Sequence, residues 1–320
     1  MISPATASPT SPLLTWLRLL RLPTVFTALA DVLCGFLVGA VAAATGEPDW
    51  IVLPWLLLSS AALYLSGMVL NDVLDARLDA VERPERPIPS GRVSLRSAAI
   101  AGFLLMITGL VAGGAAWITA NRSGHSLMIA VLIAIAVLTY NAVLKATWAG
   151  PFSMAICRFL NLSLGASTAI NSTGTVMAWQ QPVLGAASGL TVYIVGVTWF
   201  ARSEAGNASR LGLTVGLIVA TAGVVVSAGS TLLTQQDRTI AMVALLQFAV
   251  IVGITIARGV TAIRNGQSPV LQRTVGKMLL WIIILDAGVV FAATGSGITE
   301  GVVLLLLVPA LLLRKRIPMS

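Results

Sequence analysis

The chain has few of the residues on which soluble enzymes depend. Only 10% of its 320 residues are charged, whereas 57% are hydrophobic and the mean hydropathy is +0.93. There is one histidine, His125, and there are two cysteines, Cys34 and Cys157. A single histidine argues against histidine-based catalysis and most zinc chemistry, and two cysteines inside apolar runs argue against a disulfide framework. The composition is typical of a polytopic membrane protein.

Acidic residues are scarce, and they are unevenly placed. Of the 12 in the chain, five fall within residues 72–85. They are Asp72, Asp75, Asp79, Glu82 and Glu85. The apolar run 52–70 leads into this window, and if its helix continues, Asn71, Asp75 and Asp79 recur at steps of four on one face. Oxygen ligands at this density suit Mg²⁺. The alternative is a solvated acidic helix end with arginines nearby.

Ten apolar runs are long enough to be helices, and most reach the ~20 residues that cross a bilayer core. They lie near residues 23–45, 51–74, 96–118, 126–144, 151–171, 182–202, 211–230, 239–262, 272–295 and 299–314. The sequence therefore predicts an all-α, polytopic transmembrane helical bundle. Residues 1–12, rich in Pro, Ser and Thr, are predicted to be a disordered tail, and residues 13–320 a single transmembrane domain. Residues 16–21 are predicted to form an amphipathic lead-in along the membrane surface.

Basic residues indicate the orientation of the bundle. With the N-terminus inside, 17 of the 20 Lys and Arg residues fall in inner segments, Arg122 and Arg238 fall outside, and Arg158 lies within a span. Because cytoplasmic loops carry the excess of Lys and Arg, both termini and the acidic window are predicted on the cytoplasmic side. We expect a bacterial cell membrane as the location. These loops account for the net charge of +8, which therefore does not indicate a nucleic-acid partner.

The acidic window resembles the first aspartate-rich motif of the UbiA superfamily of intramembrane prenyltransferases. That motif reads N-D-x-x-D-x-x-x-D and is followed by a basic stretch ending R-P-x-x-x-G. Its fixed positions are matched here by Asn71, Asp72, Asp75, Asp79, Arg86, Pro87 and Gly91. Residues 22–28 and 140–145 also resemble family signatures. The likeness extends over about residues 17–210 and is nearest to a divergent, EboC-like branch.

The resemblance implies a fold and a reaction. The family usually has nine spans and ten are counted here, so we predict nine to ten transmembrane helices, with the charge pattern favouring the extra one. The implied reaction is Mg²⁺-dependent transfer of a polyprenyl group from its diphosphate to an aromatic or alcohol acceptor. The implied partners are a prenyl diphosphate donor, a small-molecule acceptor and membrane lipid. The alternative is a catalytically weakened relative that binds or moves a prenyl lipid or a related metabolite.

The resemblance also assigns roles to individual residues. It implies metal binding by Asn71, Asp75, Asp79 and Glu204. The expected catalytic residues are Asp75, Asp79, Lys145, Arg158 and Glu204. The expected substrate-binding residues are Asn71, Asp72, Arg86, Lys145, Arg158, Tyr140 and Asp31. Because an intramembrane arginine faces a cavity or a partner, Arg158 either binds diphosphate or pairs with Asp31 or Asp286. We expect Asp286, outside the region of likeness, to have a packing role.

The end of the sixth run departs from the family pattern. A second motif, D-x-x-x-D, is expected there, but residues 199–210 contain only one acid, Glu204. Ala208 stands where the second acid belongs, with the neutral oxygen ligands Asn207 and Ser209 beside it. A second metal ion would therefore be held more weakly or differently. The alternative is an ordinary charged loop.

The charge distribution makes a testable prediction about topology. A cysteine introduced at Ser320 should be inaccessible to a membrane-impermeant reagent applied from outside, whereas cysteines in the 172–180 loop should react. The measurement is labelling of intact cells, with permeabilised cells as the control. An externally labelled C-terminus would remove the ten-span arrangement and restore nine.

Overall fold

The apolar runs of the sequence are helical in the computed structural model, which describes residues 11–44, 48–121, 124–205, 209–315 and 317 but not the side chains of residues 203–205 and 231. The predicted all-α class is confirmed. In the described ranges the only β-type pairing is one isolated bridge, between Ile170 and Val176.

Thirteen α-helices form the described part of the chain. They are α1 (Pro12–Leu19), α2 (Val25–Ala43), α3 (Leu53–Leu74), α4 (Ala76–Glu82), α5 (Leu95–Thr119), α6 (Ser126–Thr139), α7 (Gly150–Gly165), α8 (Val183–Ala205), α9 (Arg210–Thr234), α10 (Arg238–Asn265), α11 (Ser268–Thr294), α12 (Gly297–Leu304) and α13 (Leu307–Arg314). A π-helical turn, Tyr140–Leu144, extends α6. Each predicted run is helical, and the last is divided into α12 and α13.

The helices are those of an integral, multi-pass membrane protein. Nine helical stretches in the described ranges are long and apolar enough to cross a bilayer, which agrees with the predicted nine to ten. The remaining run forms α7, whose 16 residues extend about 24 Å, less than the ~30 Å hydrocarbon core. Helices α2, α6 and α8 pack against α7, so this short helix lies among longer ones.

The outward faces of the bundle are apolar. Ile107 and Val111 of α5, and Met242 and Leu246 of α10, are large apolar side chains that lie exposed on the surface. A protein in water rarely exposes contiguous patches of this kind, whereas lipid tails solvate them. The most enclosed spans are α2, α8 and α11, which therefore form the centre of the bundle.

Helices α2 and α7 approach closely enough for their backbones to touch. A Cβ atom added at Gly35 would lie 1.9 Å from the carbonyl oxygen of Leu162, and one at Gly165 would lie 2.0 Å from that of Val32. Small residues permit this approach between membrane helices. Asp31 and Arg158 each lie one turn before this contact, and the crossing brings them together.

This contact predicts a specific instability. Gly165→Ala should lower the thermal unfolding midpoint of the detergent-purified protein, because overpacking costs about 1–3 kcal/mol and exceeds the gain of roughly 1 kcal/mol in helix propensity. Gly253→Ala in α10 is the matched control, since no atom lies within 4 Å of its added Cβ. An unchanged midpoint for Gly165→Ala would contradict the contact.

Candidate active site

The acidic motif occupies the end of α3 and the start of α4. The backbone N–H of Asp75 donates to the carbonyl of Asn71 at 2.9 Å, and that of Asp79 donates to the carbonyl of Asp75 at 2.8 Å. Helical hydrogen bonding thus continues through Asp75, the residue between the two helices. Asn71, Asp75 and Asp79 lie on successive turns, as the spacing predicts.

Lys145 connects two members of the motif. Its Nζ atom lies 2.5 Å from Asp75 Oδ1 and 3.2 Å from Asn71 Oδ1. The lysine follows the π-helical turn, where its backbone N–H donates to the carbonyl of Tyr140. Single π-turns of this kind frequently mark functional sites. Two oxygen atoms from α3 and its end therefore converge on one cationic group.

The other two aspartates are held by arginines. Arg86 Nη1 lies 2.8 Å from Asp79 Oδ2 and 3.7 Å from Asp72 Oδ1, and Arg21 Nη2 lies 2.9 Å from Asp72 Oδ1. Both aspartates are buried. The Arg86 assignment to the substrate site follows the family pattern, and the structure brings Arg86 to the motif. These pairs join the motif to the loop after α4 and to the segment before α2.

Arg21 was not among the residues assigned to the site from the sequence. Its φ of 48° is in the left-handed region, which few residues other than glycine adopt and which costs about 1–3 kcal/mol. The strained backbone and the ion pair to Asp72 together indicate a fixed position. The available signal was its place directly before residues 22–28, which resemble a family signature.

A cavity of about 130 Å³ leads from the motif into the bundle between α3, α6 and α7. Its polar residues at the motif end are Arg21, Asn71, Tyr140 and Asn141, and those deeper in the bundle are Ser60 and Tyr64 of α3 with Arg158 and Asn161 of α7. The walls between them include Met68, Ile133, Val137 and Met154. The cavity thus has a polar mouth, apolar walls and a polar floor. Tyr140, expected at the substrate site, lines it.

Arg158 forms the charged part of that floor. Its Nη1 lies 2.8 Å from Asp31 Oδ2, its Nη2 donates to Thr27 Oγ1 at 2.7 Å, and its guanidinium lies 5.3 Å from the centre of the Tyr64 ring. Arg158 therefore pairs with an intramembrane acid, as one of the two expectations states, and it also lines the cavity.

Asp31 lies behind the cavity floor. We expected it to contact substrate, but it is fully buried, and the residues that line the cavity do not include it. Its Oδ2 atom also accepts from Asn161 Nδ2 at 3.0 Å, and Asn161 in turn accepts from Ser60 Oγ at 2.7 Å. Asp31 therefore affects the cavity only through Arg158 and Asn161, the side chains that it binds. Tyr64, Asn161 and Ser60 were not found from the sequence, since nothing near them in the chain marks them.

The expected second acidic site lies at the end of α8. The side chain of Glu204 and residues Asn207 and Ala208 are outside the described residues. Arg202, two residues before Glu204, donates from Nη1 to the carbonyl of Thr147 at 2.5 Å. The end of α8 therefore lies beside the segment that carries Lys145.

The arrangement of oxygen atoms limits how a divalent cation fits. In the ranges that the structure covers, no three His, Cys, Asp or Glu side chains come together as a metal cage. Asn71 and Asp75 do converge, and they already share the Lys145 ammonium. Because Mg²⁺ typically uses one or two carboxylates together with substrate phosphates, these residues fit a metal shared with a ligand. Asp79 faces Arg86 instead.

These features define a class: membrane-embedded bundles whose aspartate-bearing helix end opens on an intramembrane cavity. A model of the UbiA prenyltransferase family matches residues 32–203, more than half of the chain. The protein belongs to this family.

Curated relatives are similar over part of the chain. Digeranylgeranylglyceryl phosphate synthase from Saccharolobus solfataricus is 33% identical over 136 residues, which cover 41% of this chain and 43% of the relative. The synthase of the same name from Methanothrix thermoacetophila is 36% identical over 135 residues, with 41% and 46% covered. The matched region spans less than half the length of either relative.

Solved structures share the fold over nearly their whole length. A structure reported for digeranylgeranylglyceryl phosphate synthase in membranes has a TM-score of 0.63 at 19% identity, covering 90% of this chain and 100% of the other. A UbiA homolog from Archaeoglobus fulgidus bound to GPP and Mg²⁺ has a TM-score of 0.55 at 15% identity, covering 86% and 99%. At such identities the likeness establishes the fold alone.

The ion pair beneath the cavity predicts a coupled effect on stability. Arg158→Met should destabilise the protein by about 3–5 kcal/mol, because it leaves Asp31 buried without a cation. The double variant Asp31→Asn with Arg158→Met should recover much of that loss. The measurement is unfolding in detergent across the double-mutant cycle. Arg96→Met, at an exposed arginine of α5, is the control. Additive single effects would show that the two groups are not coupled.

Proposed function

We propose that the protein is a Mg²⁺-dependent intramembrane prenyltransferase that moves a polyprenyl group from its diphosphate to an aromatic or alcohol acceptor. The observation that carries the proposal is the convergence of Asn71 and Asp75 on one cationic group at the mouth of a cavity that runs into the bundle. Membership of the UbiA family supports the reaction class, and an A. fulgidus homolog binds GPP and Mg²⁺.

The donor diphosphate binds at the mouth of the cavity. Asn71 and Asp75 would hold Mg²⁺, with Asp79 and Glu204 as further ligands, and the bound ion would neutralise charge on the leaving diphosphate. Lys145 supplies a second positive charge at the same place. Arg86 and Arg21 offset the negative charge of Asp79 and Asp72, so these aspartates repel the diphosphate less.

The prenyl chain occupies the apolar part of the cavity. Departure of the diphosphate breaks the C–O bond and leaves an allylic cation, which water would capture if it had access. The walls formed by Met68, Ile133, Val137 and Met154 exclude water from that carbon. The acceptor nucleophile then forms the new bond and loses its proton. Arg158, Tyr64 and Asn161 offer the polar contacts that orient a substrate at the floor.

The site lies on the cytoplasmic side of the membrane in this proposal, which the positive inner loops support. The donor therefore approaches with its diphosphate at that interface and its chain within the bilayer. The acceptor is either an aromatic compound or an alcohol, since both provide a nucleophile for an allylic cation.

The test is release of inorganic diphosphate from a prenyl diphosphate by the purified protein in the presence of Mg²⁺ and an aromatic or alcohol acceptor. Asp75→Ala and Asp79→Ala should each reduce the rate on the order of 100-fold, because each removes a carboxylate expected to hold the Mg²⁺ that neutralises the leaving diphosphate. Asp49→Asn, at an exposed acid distant from the motif in the chain, should retain the wild-type rate. Chelation of Mg²⁺ should abolish release.

Two results would contradict the proposal. Normal diphosphate binding and release by both aspartate variants would remove this motif from the site. Binding of prenyl diphosphate by the wild type without any turnover, with every candidate acceptor class supplied, would favour the alternative of a protein that binds or moves a prenyl lipid.

A further inference from the structure

Three ionisable side chains from three helices meet in the centre of the bundle. They are Asp31 of α2, Arg158 of α7 and Asp286 of α11, with 0%, 6% and 1% of their surface exposed. Helix α11 packs directly against α2. Asp286 lies outside residues 32–203, which match the family, and the mechanism above does not use it.

The two carboxyl groups each have an oxygen that no donor satisfies. In the described part of the chain, Asp31 Oδ1 and Asp286 Oδ2 are buried without a hydrogen-bond partner. Helix α11 packs against α2, and the two carboxyl groups act on each other across this contact. Two ionised carboxylates can only accept, whereas a single proton between them makes one group a donor and gives the other the bond that it lacks.

Charge balance also favours one proton between the two carboxyl groups. Two ionised aspartates and one arginine would leave a net negative charge among apolar helices, which is costly inside a membrane. One protonated aspartate makes the group of three neutral. An ion pair then remains between Arg158 and the other acid.

The hydrogen bonds identify which acid carries the proton. Asp31 Oδ2 accepts from Arg158 at 2.8 Å and from Asn161 at 3.0 Å, and both donors favour its ionised form. The buried Oδ2 atom of Asp286 has no donor among the described residues. These contacts favour the proton on Asp286 rather than on Asp31.

We propose that Asp286 is a positioning residue: as a neutral carboxylic acid it donates a hydrogen bond to Asp31, which in turn holds Arg158 and Asn161 at the floor of the cavity. Four helices meet in this relay, because Asn161 and Arg158 belong to α7 and Ser60, which binds Asn161, belongs to α3. The link from this relay to substrate binding rests on the proposed function, whereas the protonation of Asp286 does not.

Two substitutions at Asp286 distinguish a hydrogen-bonding role from simple packing. Asp286→Asn keeps the shape, the neutrality and a hydrogen-bond donor, and it should bind geranyl diphosphate with Mg²⁺ as the wild type does. Asp286→Leu keeps similar bulk but has no donor, and it should weaken that binding about tenfold, the effect expected for one hydrogen bond at the upper end of its range. A variant at a residue that only fills space would lose folded protein without changing the affinity of the folded fraction.

Infrared spectroscopy tests the protonation directly. Wild-type protein labelled with ¹³C-aspartate should show the carbonyl stretch of a protonated carboxylic acid at neutral pH, and that band should be missing from Asp286→Asn. Absence of the band from the wild type would overturn the inference. Asp286→Asn that binds geranyl diphosphate as poorly as Asp286→Leu would overturn it as well.

The two proposals fail in different ways. If the wild type neither binds nor turns over a prenyl diphosphate, the proposed function fails, and the infrared band alone then decides the state of Asp286. If the wild type is active but the band is missing, the prenyltransferase assignment stands and Asp286 is not a donor to Asp31.

Discussion

The structure depends on pairing carboxylates in or near the membrane with cations, as it does for Asp31, Asp75 and Asp79. Removing a carboxylate from water is costly unless opposite charge and hydrogen bonds replace the lost solvation. Here Lys145 binds Asp75, Arg86 binds Asp79 and Arg158 binds Asp31. Two of these pairs join groups far apart in the chain, so the pairing fixes which helix ends meet. The need to neutralise these carboxylates therefore determines where the site lies.

The same pairing gives the cavity its two polar ends. One lies at the membrane boundary around Asp75, where side chains are partly exposed, and the other around Arg158, where they are buried. Between them the walls are apolar. A molecule with a charged head and a greasy chain matches the mouth and the walls, while the buried floor offers a separate set of donors. The mouth therefore offers partly exposed charges, whereas the floor offers buried hydrogen-bond donors.

Much of this arrangement could be predicted from the sequence. The four-residue spacing of Asn71, Asp75 and Asp79 correctly predicts successive helical turns, and hydropathy predicts every long helix. The role of Arg21 could not be predicted, because its partner Asp72 is 51 residues away and helical periodicity carries no information on such pairs. Asp286 was expected to pack or to pair with Arg158, and its position beside Asp31 could not be predicted, since its neighbours depend on how α11 meets α2. The sequence also gave no sign that α7 would be shorter than the bilayer.

Helix α6 forms a wall one helix thick between the cavity and the lipid. Ile133 and Val137 line the cavity, whereas Leu132 and Ile135, on the same helix, lie exposed on the outer surface. The cavity cannot be deepened at its floor, because the backbones of α2 and α7 already touch near it. Trimming side chains on the inner face of α6 would therefore extend the cavity toward the acyl chains. The inner face of α6 is thus a part of the lining where smaller side chains would admit a larger molecule.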